Sequence, residues 1–245
     1  MKQIDLSIMP EWNAPDSIVA GCTLRAGGVS KGCYSSLNLA SHVGDLLSAV
    51  KENRLKLRRF CKLPNEPLWL SQSHGTNVAI EPSLGAEADA SFTRKPGVVC
   101  AVLTADCLPV ILASDDGKEV AVAHAGWRGL AGGILEATVD VFDAHPCHLH
   151  AWLGPAISQS EFEVGEEVRQ IYLQHSNEAA QHFRRNNRGR WQADLYGLAR
   201  QRLQYCGVAN ISGGHCCTYS DSERFFSFRR DGQCGRMASF VYRRP

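Results

Sequence analysis

The segment Gly97-Val-Val-Cys-Ala-Val-Leu-Thr104-Ala-Asp-Cys107-Leu-Pro-Val110-Ile-Leu-Ala113 holds two apolar, β-branched runs separated by a short polar interruption. Short runs of this composition, bounded by Gly, Pro and Asp, read as buried strands. Thr104, Asp106 and Pro109 break the stretch too often for it to cross a bilayer as a helix. Upstream, 68–70 and 78–80 have the same character, and so does 120–123 downstream. Further out, 17–25 reads as a strand entering the turn-rich Ala26-Gly-Gly-Val-Ser-Lys-Gly-Cys33, and 50–60 has helical spacing with Pro64 just beyond. After Gly126-Trp-Arg-Gly129 the pattern predicts a helix over 130–142, a strand over 149–153, and helices over 166–175 and 194–205. The last of these starts at Asp194 and closes on Gly207. Strands are expected at 224–228 and 237–242, flanking the loop 229–236. Strands and helices mix without strict βαβ alternation, which favours a layered α+β fold over a Rossmann sheet.

The chain has 245 residues, 44% of them hydrophobic, enough for a substantial core. No linker, repeat or low-complexity tract divides it, so one domain over 1–245 is the expectation. Its 26 Lys and Arg against 25 Asp and Glu give a net charge of +1, without the global field of a nucleic-acid or membrane-surface binder. The first ten residues carry Lys2, Asp5 and Pro10 where a signal peptide needs an apolar run. The ten cysteines include no C-x-x-C pair and read as reduced thiols, with Cys22, Cys61, Cys100 and Cys206 as buried hydrophobes. A cytoplasmic protein is the expectation.

Three strand-like runs end in a metal-capable side chain followed by small residues: Gln72-Ser-His74-Gly, Thr104-Ala-Asp-Cys107 and Val122-Ala-His124-Ala-Gly126. Side chains so placed are rigidly held yet open to a pocket. Two imidazoles and a thiolate suit Zn²⁺, with a fourth position left for water or substrate. The spacings, 33 positions from His74 to Cys107 and 17 from Cys107 to His124, match no local zinc pattern. On the residues alone, Cys107 as a nucleophile paired with a His, or three structural side chains, stay open beside the metal reading.

Taken together with Arg25-Ala-Gly-Gly-Val-Ser30, Ser36-Leu-Asn-Leu39, His42-Val-Gly-Asp45, His124-Ala-Gly-Trp-Arg-Gly129 and Phe226-Ser-Phe-Arg-Arg-Asp231, these segments resemble the YfiH family, described earlier as bacterial polyphenol oxidases or laccase-domain proteins. The resemblance runs from about Cys22 to Phe240, in the family order. It implies a single domain of layered α/β/β/α architecture and a zinc ion held by His74, Cys107 and His124. It further implies phosphorolysis of adenosine, inosine, guanosine and methylthioadenosine, with adenosine deaminase activity beside it.

Phosphorolysis needs phosphate held beside C1′, and guanidinium groups bind phosphate bidentately. Arg25, Arg229, Arg230 and Arg236 are the candidates, each with a solvated or structural reading beside it. His42 is a candidate near the site or a hydrogen-bonded loop histidine, and Asn38 either holds a ribose hydroxyl or caps a turn. Trp127 either stacks on a purine or belongs to the core. For deamination the cytidine-deaminase signature is absent, leaving Asp106 or Cys107 as proton carrier. His145-Pro-Cys147-His148-Leu-His150 is expected at the surface, and Cys217-Thr218 is expected to be structural.

Two rivals keep the same site. One is a cysteine or zinc hydrolase editing peptidoglycan precursors, with Cys107 as nucleophile and His124 as base. The other, copper-dependent oxidation of phenols, fails as a multicopper reading because nine His include one H-x-H pair, although a single Cu²⁺ suits the His/His/Cys set. A non-enzymatic metal-dependent binding protein is a further alternative.

Overall fold

A computed structural model describes residues 7–245, so most of the N-terminal stretch read above, Met1 to Leu6, lies outside the described residues. In chain order the strands are β1 (Ser7–Ile8), β2 (Ile18–Thr23), β3 (Leu68–Trp69), β4 (Val78–Ile80), β5 (Ala90–Thr93), β6 (Cys100–Thr104) and β7 (Leu108–Ser114), then β8 (Val120–Ala125), β9 (Leu149–Leu153), β10 (Glu163–Val164), β11 (Phe183–Arg185), β12 (Trp191–Ala193), β13 (Asn210–Gly213) and β14 (Met237–Arg243). The helices are α1 (Leu47–Phe60), α2 (Trp127–Gly132), α3 (Ile134–Val139), α4 (Glu166–Leu173), α5 (Leu195–Tyr205) and α6 (Phe228–Asp231).

One mixed sheet has the order β1-β2-β14-β6-β3, a second has β13-β9-β7-β8-β5-β4, and β10-β12-β11 form a small antiparallel sheet. Period-two alternation explains why the central runs are apolar throughout. On β7, Ile111 and Ala113 face the first sheet while Val110 and Leu112 face the helices; on β8, Val120 and Val122 face the sheet while Ala121 and Ala123 face the helices. On β6, Cys100 and Val102 meet the second sheet, whereas Ala101 and Leu103 pack with Leu57 of α1 and Leu37. Helices α2 to α5 cover the far side of the second sheet. The architecture is therefore α/β/β/α, an α+β fold with mixed sheets, as the resemblance implied. Each aliphatic side chain fully buried in these layers contributes about 1.5–3 kcal/mol.

Several boundaries differ from the sequence expectation. The helix expected over 130–142 is two, broken at Gly133, whose φ of 101° no helix accommodates. The strand expected at 224–228 is instead a turn leading into α6, because the Ser227 hydroxyl accepts the Arg230 N–H as an N-cap. Strands β5, β13 and the small sheet were not foreseen; β5 reads Ala-Ser-Phe-Thr, too short and too polar to stand out. Asp194 caps α5 as expected, accepting from the Gly197 N–H at 3.0 Å. Cys22 and Cys100 are fully buried and burial pushes each thiol up to about 12, but Cys61 and Cys206 are only half-buried. All ten cysteines are free. Among the described residues no helix is long and apolar enough to cross a membrane.

Candidate metal centre and its cavities

His74, Cys107 and His124 come together where the two sheets meet, with their ligand atoms all within 4.8 Å of one another. His74 follows β3, which is short; beyond it Gln72 replaces the strand, donating to the Leu103 carbonyl at 3.0 Å and accepting the Leu103 N–H at 2.7 Å. Cys107 lies in the turn by which the chain passes from β6 in one sheet to β7 in the other. His124 is buried on β8, and its ring meets that of His74 edge-on at 4.7 Å. Gly126 is required here: a Cβ would sit 2.9 Å from the Cys107 Sγ and 3.3 Å from the His74 ring.

One carboxylate organises the cluster. Asp89, fully buried just before β5, accepts the backbone N–H groups of His74 (3.0 Å), Ser73 (3.1 Å) and Gly75 (2.6 Å) and binds His124 Nδ1 at 2.8 Å. It thereby fixes the His74 backbone at φ 63° and leaves the Nε2 of His124 for the cluster. Burial alone would raise the Asp89 carboxyl, but the hydrogen bonds and charge of His124, with the Gly75 and Ser73 N–H groups, hold it at about 2. Burial likewise opposes ionising Cys107, and the two histidines outweigh it, bringing the thiol down to about 6. Burial disfavours a charged His124; Cys107 and Asp89 reverse that and raise it.

Two cavities open onto this cluster and share His74, Ala105, Cys107 and Phe228. One, of about 250 Å³, is lined also by His42, Gln72, Thr104 and Arg236. The other, of about 260 Å³, is lined also by Trp127, Arg128, Phe162, Leu195 and Arg229. A larger groove of about 610 Å³, bordered by Met9, Trp152 and Gly214, contains none of the cluster residues.

The structure sorts the other expected site residues. His42 and Arg236 reach the first cavity and Arg229 the second. Burial, then the charges of Arg236 and Arg54, lower the His42 imidazole below its ordinary value. Arg25 and Arg230 line neither cavity. Arg25 donates to the Ser35 and Ser222 carbonyls, and Arg230 pairs with Asp231 and donates to the carbonyls of Thr218, Tyr219 and Phe225. Asn38 is fully buried and accepts the N–H groups of Ala40 and Arg236, which makes it a support for Arg236. Asp106 accepts from the Thr218 hydroxyl at 2.6 Å and the Arg229 N–H at 2.7 Å, so each of its oxygens is engaged by the fold and Thr218 helps hold the turn. Trp127 lines a cavity and also packs on the core.

His148 stands in a short 3-10 turn with Asp115 at 2.6 Å, off the strand that bears His150, and among the described residues joins no metal-capable cluster. Sequence reading missed Asp89, Gln72, Thr104 and Phe228. The signal for Asp89 was a lone acid inside the otherwise small and apolar Ala88–Phe92.

Residues 19–244 match the family model described as multi-copper polyphenol oxidoreductase laccase. The chain is 49% identical over 238 residues to the purine nucleoside phosphorylase YfiH of Escherichia coli, covering 96% of this chain and 98% of that one. The chain belongs to the YfiH family. It is also 46% identical to a purine nucleoside phosphorylase of Haemophilus influenzae, over 96% of this chain and 98% of that protein. The crystal structure of a Neisseria meningitidis protein superposes with a TM-score of 0.93 at 43% identity, over 98% of this chain and 100% of that one. That of the Bacillus licheniformis hypothetical protein YfiH gives 0.91 at 28%, over 99% and 98%. The family-model description and the relatives' names point to different chemistries. Among the described residues there is one three-ligand group, which does not make a multicopper cluster.

Proposed function

We propose that this chain is a single-domain, zinc-dependent purine nucleoside phosphorylase of the cytoplasm. It cleaves adenosine, inosine, guanosine and methylthioadenosine with phosphate, and deaminates adenosine as a second activity. The observation that carries this reading is the open His74, Cys107 and His124 cluster with a cavity on either side, one room for each of two substrates. The relatives' names support nucleoside and phosphate as those substrates. Ten free cysteines suit a reducing compartment.

The cluster fits zinc: two imidazole nitrogens and a thiol biased toward thiolate, a carboxylate orienting one imidazole, and a free side open to both cavities. Zinc held there supplies Lewis-acid charge beside the reacting atoms. The protein's own residues do the rest. In phosphorolysis a phosphate oxygen bonds to C1′ while the bond from C1′ to the purine nitrogen breaks; the electron pair leaves on the purine, which takes up a proton. Arg236 and Arg229 face the cavities as donors for phosphate and ribose oxygens, and His42, its imidazole held neutral at pH 7, adds an uncharged donor.

Metal analysis of purified protein, with products identified from adenosine with and without phosphate, tests the reading. Zinc together with adenine and ribose 1-phosphate, formed only when phosphate is present, is expected; copper in place of zinc or no phosphate dependence would overturn it.

One observation favours the hydrolase reading: Cys107, His124 and Asp89 form a thiol, imidazole and carboxylate relay. On that reading the metal-stripped protein cleaves a peptidoglycan precursor amide, and on the phosphorylase reading it does not.

A further inference from the structure

Phe228 is 57% exposed, yet its ring borders both cavities over the cluster. Among the described residues it belongs to no buried apolar cluster. It stands at the first position of α6, a turn pinned by the Ser227 cap and by the Arg229 N–H donated to Asp106. On one side the Arg236 guanidinium lies 5.7 Å from the ring centroid. The two cavities differ in aromatic lining. The first carries the polar side chains His42, Gln72 and Arg236. The second has an aromatic and aliphatic wall of Trp127, Ile157, Phe162 and Leu195, with Asp106, Arg128 and Arg229 beside it.

We propose that Phe228 is the stacking residue for the purine and divides one two-substrate cleft. The base then lies against Phe228 along the Trp127/Phe162/Leu195 wall, and the anion enters the His42/Arg236 side. This rests on the phosphorylase reading and deepens it. Every purine offers the same π-face, so the residue contributes alike to adenosine, inosine and guanosine, and breadth of substrate follows from the stack.

The test is equilibrium binding to the zinc-loaded protein, with inosine alone and inorganic phosphate alone as the two probes. Phe228→Ala is expected to weaken inosine by about tenfold or more, the worth of one aromatic stack, and to leave phosphate unchanged. Phe228→Tyr restores inosine affinity, and Arg236→Met weakens phosphate with inosine unchanged. In steady state the same split falls on the two KM values. Because Phe228 is exposed, its truncation leaves Tm within a degree or two of wild type, which is checked alongside. Wild-type inosine affinity in Phe228→Ala, or equal loss for both probes, overturns the inference while leaving the phosphorylase reading standing. A wild-type protein that binds neither probe sinks both.

Discussion

Asp89→Asn is the sharpest single perturbation this site offers. The carboxylate takes His74 N–H and His124 Nδ1 on one oxygen, and Ser73 N–H and Gly75 N–H on the other. An amide keeps one oxygen: with its NH₂ toward Ser73 and Gly75 two donors lose their acceptor, and with it toward His74 and His124 one does, because the imidazole can change tautomer and accept. Each buried group left unsatisfied costs about 1–3 kcal/mol, so the metal-stripped variant should lose about 1–6 kcal/mol. Urea unfolding of stripped protein measures this without a contribution from bound metal. The pH dependence gives a second signature. The Asp89 carboxyl is depressed from 3.8 to about 2, so its stabilisation is present above 3.8 and is lost as pH falls through about 2. That shift is worth roughly 2 kcal/mol, and the acid limb should shrink by that amount in the variant. Zinc affinity should also fall about 10- to 100-fold, because the His124 ring loses the partner that fixes it. Superimposable urea curves together with unchanged zinc affinity would refute the role assigned to Asp89.

Three further outcomes are expected. Gly126→Ala, which forces a methyl to 2.9 Å from the Cys107 Sγ, should abolish tight zinc binding with little change in far-UV circular dichroism; wild-type zinc content would contradict the packing argument. In metal-stripped protein, iodoacetamide should modify Cys107 with a midpoint near pH 6, since the thiolate is stabilised between two histidines, and zinc should protect it; a midpoint near 9 would remove that stabilisation. Arg230→Ala and Arg25→Ala should lower Tm and leave the apparent KM for phosphate nearly unchanged, because both guanidiniums are occupied with backbone carbonyls; a KM effect confined to phosphate would return them to the substrate site.

The layered core was legible because strands buried on both faces spell continuous apolar runs, and β6, β7 and β8 do so with little else between them. The site was legible by residue type only. His74, Cys107 and His124 lie far apart in sequence, and what joins them is a crossing between sheets that no local pattern encodes. Arg229, Arg230 and Arg236 look alike on paper and all donate to backbone carbonyls, yet Arg229 and Arg236 line the cavities and Arg230 does not. Asp89 stood out only as a lone acid in an apolar stretch, because its importance lies in four donors drawn from two other segments. The false strand at 224–228 shows a serine cap overriding an aromatic run.

The strand Met237–Arg243 lies between β2 and β6, with Met237 opposite Thr104 at the root of the turn that carries Cys107. All three candidate ligands precede it in the chain. A variant cut at residue 230 therefore keeps His74, Cys107 and His124 but lacks the strand that seats the turn carrying Cys107, and it is expected to hold the right donor atoms and bind no metal.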